Sequence, residues 1–279
     1  MKNIIKSFLK KFISIYSSTR IGTIINDLIL KNIMNQVSTV THEEIQLKFA
    51  TPNWVTRWRA ETFSNKEPET LEWIDSFPKN SVLWDIGANV GVYSCYAAKK
   101  DIKVFAFEPS TFNLELLSRN IFLNNLTEKI TIVPLPLSDQ ISFNTLNMTS
   151  TEWGGALSTF GKEYGHDGKH MDMVFKLPTI GLSMVDALNF FNIQQPNYIK
   201  MDVDGIEHLI LKGGQSILKK ASQVLVEIND SFNEQLNISK SILIDSGFSL
   251  IKKGHHEDSY STGGQESTYN QIWTNTNIH

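Results

Sequence analysis

The stretch Ser81-Val-Leu-Trp-Asp-Ile-Gly-Ala-Asn-Val-Gly-Val-Tyr-Ser94 constrains the fold more than any other part of the chain. Residues 82–84 form an apolar run too short for a helix and bounded by polar residues, which predicts a buried strand. Asp85 closes the strand, Gly87 and Gly91 follow at a four-residue spacing, and the small, mostly apolar residues 90–98 continue as a helix. The unit is therefore strand, glycine turn, helix N-terminus. Glycine at position 87 permits a turn that other residues resist and lets a ligand approach the backbone. The helix start offers that ligand unpaired N–H groups. Asp85 directs a full negative charge at the same place. That disfavours a phosphate and favours a cofactor carrying a cation and an amino group.

The alternation continues along the chain. Strand-like runs at 103–107, 130–134, 198–201 and 223–227 alternate with helical patterns at 112–124, 182–190, 206–219 and 231–245, and late strands near 248–251 and 270–274 follow. Strands alternating with helices imply an α/β fold, a parallel sheet with helices on both faces. Residues 136–180, rich in Ser, Thr, Asn and Gly through about 170, exceed a usual connection and predict a lid or binding loop. Trp153-Gly-Gly-Ala156 marks its bending point over an acceptor. Residues 45–49 read as a strand, and Pro68 suits a first helical turn with Leu71, Trp73 and Ile74 on its apolar side. Arg57, Arg59, Glu61, Glu67 and Glu69 form either a solvated face or a cap on the pocket before Asp85.

Residues 1–40 stand apart as an N-terminal amphipathic helical extension, with the main domain at 41–279. Ile4, Ile5, Phe8, Leu9, Phe12, Ile13 and Tyr16 recur at three- and four-residue spacings, with Lys2, Lys6, Lys10 and Lys11 between them. A second helical pattern runs from Ile21 to Ile29. Two readings stand: peripheral membrane contact, or a helical pair packed on the domain or on a second copy in a homo-oligomer. No apolar run approaches the roughly 20 residues of a membrane span. Lysines interrupt every candidate secretory core. A cytoplasmic protein is expected, with association at the inner membrane face as the variant. The net charge of −3 gives no drive toward nucleic acid. The single cysteine, Cys95, excludes intrachain disulfides and a thiolate metal cluster, and its apolar neighbours predict a core position.

In an open parallel sheet, ligands bind beyond the carboxyl ends of the strands. The sequence places there Asp85, Gly87, Asn89 and Gly91, then Glu108-Pro-Ser110, Leu137-Ser138-Asp139, Lys200 to Glu207, and Glu227-Ile-Asn-Asp230. Glu108, 21 residues after Gly87, is placed to accept hydrogen bonds from both ribose hydroxyls of a nucleoside. NAD normally needs G-x-G-x-x-G so that pyrophosphate lies on the helix N-terminus. Here the pattern is D-x-G-x-N-x-G, without the middle glycine and with Asp85 opposing the pyrophosphate. S-adenosylmethionine fits better: it has an adenosine, no phosphate, an ammonium and a sulfonium.

These motifs, together with Phe107-Glu-Pro-Ser110, Ile199-Lys-Met-Asp-Val-Asp-Gly-Ile-Glu207, Thr62-Phe and Lys66-Glu-Pro-Glu-Thr70, resemble the FkbM family of S-adenosylmethionine-dependent methyltransferases over residues 55–275. The resemblance implies a class I, Rossmann-like sheet of seven strands, the last one antiparallel, and O-methylation of a small-molecule or glycan hydroxyl. It places Asp85, Gly87, Asn89 and Gly91 at the methionine end of the cofactor, Glu108 at the ribose, and Ser138 with Asp139 near the adenine. Asp204 departs from the family, which more often carries Glu there.

An alcohol acceptor must lose a proton, so a base or a metal is expected at the fourth and fifth strand ends. Asp202 is the first candidate base, followed by His208 and Glu207. Glu207 also suits a dipole-favoured helix start, and His208 a helix face. Asp202, Glu227, Asn229 and Asp230 resemble the layout of magnesium-dependent O-methyltransferases, whose oxygen ligands suit Mg²⁺. His166 and His170 read as loop residues, and His255-His256-Glu257-Asp258 as a turn or an acceptor wall. The competing readings are a non-catalytic nucleoside- or partner-binding protein on the same fold, and an NAD-dependent sugar enzyme.

Overall fold

The chain starts with two helices, α1 (Lys2–Ser17) and α2 (Arg20–Met34), in which Gly22 alone is buried among residues 5–34. The helical pair is therefore not packed into the domain core. Among the described residues, no helix is long and apolar enough to cross a membrane. A hairpin of β1 (Val37–His42) and β2 (Ile45–Ala50) follows. Only its second strand was legible in the sequence, because β1 alternates Thr, Ser and Val with no fully buried face. Strand β1 also spans residue 40, where the sequence placed the domain boundary. Helices α3 (Trp54–Glu61), α4 (Phe63–Lys66) and α5 (Pro68–Asp75) lead on, with Pro68 in the first turn of α5 as expected.

The computed structural model describes residues 2–255 and 267–278. Its central strand, β3 (Val82–Ile86), is buried along its whole length, as a parallel strand covered on both faces must be. After α6 (Val92–Lys99), β4 (Lys103–Phe107) pairs parallel with β3. After α7 (Thr111–Leu123), β5 (Ile130–Val133) pairs parallel with β4. The 136–180 region is not a plain loop. It carries β6 (Ser142–Met148), β7 (Ser158–Phe160) and β8 (Phe175–Gly181), a separate antiparallel sheet with β6 in the middle. Its strands are mostly polar, and Leu146, Met148 and Phe160 join the main core, with Leu177 packed against it. That sparse apolar pattern concealed it.

Helix α8 (Met184–Phe191), opened by a Ser183–Asp186 capping box, leads to β9 (Tyr198–Met201) on the other side of β3. The expected 206–219 helix is two pieces, α9 (Glu207–Lys212) and α10 (Gln215–Leu218), parted at Gly213-Gly214. Then come β10 (Gln223–Asn229), α11 (Asn233–Asp245), β11 (Phe248–His255) and β12 (Thr268–Asn275). The sheet order is β11-β12-β10-β9-β3-β4-β5. Strand β12 runs antiparallel to both neighbours, and the other six strands share one direction. The order reverses at β3, so the crevice between the ends of β3, β4 and β9 is the natural ligand position. Cys95 is fully buried, as its neighbours implied.

Helix α7 holds the hairpin in place through two asparagines. Asn120 Oδ1 accepts from Ala50 N–H at 2.7 Å, and its Nδ2 donates to the Val90 carbonyl at 2.7 Å. Asn124 accepts from Lys48 N–H and donates to the Lys48 carbonyl. These side chains replace a neighbouring strand and satisfy an otherwise unpaired edge. Asn120→Leu orphans two buried backbone groups and is expected to lower stability by roughly 2–4 kcal/mol. Urea denaturation of the two proteins measures this, and an unchanged midpoint would refute the bridging role.

Candidate active site

Strands β3 and β9 end side by side, with Asp85 opposite Lys200 in the register. Both side chains are buried. The turn after β3 lies close against β9: a Cβ on Gly87 would sit 1.8 Å from the Asp202 carbonyl oxygen, and Gly87 has φ +86°. Only glycine fits there. Two cavities open on either side of this turn and share Gly87, Asn89 and Asp202 as walls.

The larger cavity, about 570 Å³, is walled by Phe107, Leu135, Leu137 and Phe160 around the Glu108 carboxylate. Glu108 accepts from Asn89 N–H at 2.7 Å and Ser110 N–H at 2.8 Å. Burial lifts its pKa to about 7, against the pull of those N–H donors. The smaller cavity, about 460 Å³, is charged, with Arg59, Lys66, Glu67, Asp85, Lys200 and Asp202 in its wall. Asp85 Oδ2 accepts from Ser94 Oγ at 2.5 Å, while its Oδ1 is buried with no partner. Burial raises the Asp85 pKa, opposed by the Lys200 charge and the Ser94 hydroxyl. Lys200 Nζ donates to Asp202 Oδ2 at 3.1 Å and lies 5.2 Å from the Tyr93 ring centre. Burial works against its charge, but Asp202, Asp85 and Glu67 together raise its pKa.

The segment 153–158 from the inserted sheet is tied across the site. Asn53 Nδ2 donates to the Trp153 carbonyl, Arg59 Nε to that of Gly154, and Asn89 and Asn113 Nδ2 to that of Gly155. The N–H groups of Leu157 and Ser158 donate to Asp204 Oδ2. Asp204 and Leu157 both have positive φ, 61° and 59°. Such backbone is uncommon away from glycine and is held by its surroundings. Asp204 thus anchors the inserted segment.

Several sequence expectations meet a different geometry. Ser138 and Asp139 do not line the larger cavity. Strand β5 ends at Val133, residues 135–137 form the wall, and the chain passes on before reaching Ser138. There Asp139 pairs with Lys212 at 3.2 Å. Glu207 is also absent from both walls. It accepts from the N–H groups of Val203 and Gly205 and from Gln235, which makes it the brace of the loop after β9. His208 is buried against Phe232, 5.9 Å between ring centres, outside both walls. Gly91 caps α6.

The Mg²⁺ layout is not assembled either. Among the described residues, the one group of three or more His, Cys, Asp and Glu with mutually close ligand atoms is His42, Glu43 and Asp75. Asp230 pairs with Lys253, and Asn229 spends its amide on Thr268 and Ser231. Glu227 at the end of β10 is pushed well above its ordinary pKa by burial and by Asp202, Asp204, Glu207 and Glu67. His166 lies in a turn near Asp204, and His170 closes that turn by a bridge to Tyr164. Residues 256–258 of the late His-His-Glu-Asp cluster lie outside the described residues.

Sequence reasoning overlooked Lys200, Tyr93 and Asn113 as site residues. Lys200 carried a signal, since a lysine inside an otherwise apolar strand requires a buried partner. Glu67 and Arg59 realise the capping alternative left open for their segment.

A pH experiment follows from Glu108. A carboxyl whose folded pKa is raised stabilises fully below its ordinary value of 4.5 and loses that contribution as pH rises through about 7. The melting temperature of the unliganded protein minus that of Glu108→Gln is therefore expected to fall between those two values and level off above. A difference independent of pH would contradict the buried setting.

Residues 85–252 match the Methyltransferase FkbM domain. Hexuronic acid methyltransferase AglP of Haloferax volcanii is 26% identical over 173 residues, 62% of this chain and 66% of that protein. The match thus spans just under two thirds of that relative. Methyltransferase sdnD of Sordaria araneosa is 27% identical over 221 residues, covering 64% of this chain and 78% of that protein. Among solved structures, precorrin-6y C5,15-methyltransferase from Geobacter metallireducens is similar at 14% identity and a TM-score of 0.43, over 75% of this chain and 86% of that one. The match to the family domain covers more than half of the 279 residues, and this chain belongs to the FkbM methyltransferase family.

Proposed function

We propose that this protein transfers a methyl group from S-adenosylmethionine to a hydroxyl of a sugar, glycan or related small molecule. The observation that carries the cofactor assignment is Asp85 Oδ1, a buried acceptor with no partner in the wall of the charged cavity. A phosphate is repelled there, whereas the ammonium of an amino acid finds a charge-assisted partner. Arg59 and Lys66, in the same wall, suit the carboxylate of that amino acid. Across the turn, Glu108 has acceptor capacity left after its two N–H bonds for ribose hydroxyls. Leu135, Leu137 and Phe160 give an adenine apolar walls.

The cofactor supplies, when bound, a methyl on a sulfonium that needs no further activation. The chain's task is alignment and proton removal. Holding the reactants in line contributes several kcal/mol. Asp202 stands where the two cavities join and is the proposed base for the acceptor hydroxyl. Lys200, bonded to Asp202 Oδ2, positions that carboxylate. The Haloferax relative, by name a hexuronic acid methyltransferase, supports a sugar as the acceptor class.

Isothermal titration is expected to show binding of S-adenosylmethionine and S-adenosylhomocysteine and none of NAD. Absence of binding by the first two would favour the non-catalytic reading. Asp85→Asn is expected to weaken cofactor binding about 10- to 100-fold, the range of one charge-assisted hydrogen bond. Asp202→Asn is expected to leave S-adenosylhomocysteine affinity within a few-fold and to lower kcat by about 10²–10⁴. Transfer of labelled methyl to glucuronic acid and to neutral hexose acceptors measures this. Turnover is expected to survive EDTA treatment, and its loss with recovery on Mg²⁺ addition would restore the metal reading.

A further inference from the structure

The helical pair α1–α2 leaves twelve large apolar side chains exposed between Ile5 and Leu30, including Phe8 at 70% and Leu28 at 60%. Such a surface on a folded chain marks an interaction site. Its charge is equally one-sided. Residues 2–34 carry Lys2, Lys6, Lys10, Lys11, Arg20 and Lys31 against Asp27 alone, which is already bonded to Lys31.

The two properties are arranged together on α1. At 100° per residue, Ile5, Phe8, Leu9, Phe12, Ile13 and Tyr16 share one side of the helix. Lys6 and Lys10 fall along one border of that side and Lys11 along the other. Long lysine stems at such borders reach outward while the apolar side is buried. The pair is also preformed. A Cβ on Gly22 would lie 1.9 Å from the Tyr16 carbonyl oxygen, so the turn between the helices closes tightly. Thr19 caps α2, and Asn26 Nδ2 donates to Ser17 Oγ at 2.8 Å.

We propose that α1 and α2 lie in the plane of an anionic lipid bilayer surface, with the apolar side chains among the acyl chains and the lysines at the phosphate level. Charge decides between the candidate occupants. A second copy packed by two-fold symmetry would bring one excess of positive charge against an identical one. Only Asp27 of each copy could answer it. An anionic membrane supplies both the missing negative charge and the missing apolar medium. The helices are too short and too basic to span it, so the contact is peripheral.

Vesicle flotation of the full chain tests this, using phosphatidylcholine with and without phosphatidylglycerol. The protein is expected to float with the phosphatidylglycerol vesicles at low salt and less at high salt. Replacing Lys6, Lys10 and Lys11 by Gln is expected to weaken partitioning by about five-fold per lysine. Phe8→Asp with Phe12→Asp is expected to abolish flotation while the thermal unfolding of the main domain stays unchanged. No flotation with anionic vesicles at low salt would overturn the proposal. So would a dimer that Phe8→Asp with Phe12→Asp converts to monomers while flotation persists.

Discussion

A lysine ammonium buried to 2% exposure in the middle of a parallel sheet is the constraint around which the site is built. Removing such a charge from water costs several kcal/mol unless partners surround it. Lys200 has them on three sides: Asp202 two residues on, Asp85 across the β3–β9 register, and Glu67 from the start of α5. Glu67 is shared with Lys66 at 3.5 Å, so the carboxylates and cations of this wall are matched in number. Within this cluster, Asp85 Oδ1 is a buried oxygen left without a partner. The groups that satisfy the buried lysine are thus the same ones to which the proposed function assigns the ligand.

The surrounding elements hold this cluster at the cavity junction. Gly87 lets the turn after β3 lie against the backbone of β9, which brings Asp85 and Asp202 to the same opening. Asn120 joins the hairpin strand β2 to the carbonyl of Val90 in that turn, so the N-terminal hairpin braces the turn between the two cavities as well as covering the core. Glu207, with the loop 203–205 and Gln235, fixes the chain after β9 from the opposite side. These contacts are made by buried polar side chains bonded to backbone. Their cost if broken is high because the partner is left without water.

The central strands and their glycine turn were legible because a short apolar run between polar residues has few alternatives. Asp85 and Glu108 were legible because strand ends in an open parallel sheet meet at one edge. The inserted sheet was not, since its strands bury little apolar surface and lack a regular alternation. Ser138 and Asp139 follow directly on Leu137, the last residue of the 135–137 stretch in the wall of the larger cavity. Three residues at the end of β5 decide which part of the chain faces the cavity, and spacing alone does not record how sharply the chain turns. Glu207 and His208 share the segment of Asp202, but the loop rotates them into the interior. Nearness in sequence to a strand end does not establish a place in the cavity wall.

The segment 153–158 forms part of the wall of the larger cavity, and its hydrogen bonds share partners: Asn113 serves Gly154 and Gly155, and Asp204 serves Leu157 and Ser158. Losing one partner therefore loosens two points of attachment. The left-handed backbone at Leu157 is retained only while Asp204 holds it. Such a wall does not stretch by degrees. It is fixed at both ends by hydrogen bonds with Asn53, Arg59, Asn89, Asn113 and Asp204. Under the proposed function, a nucleoside would therefore meet a wall already shaped before it arrives, with the Glu108 carboxylate beside it.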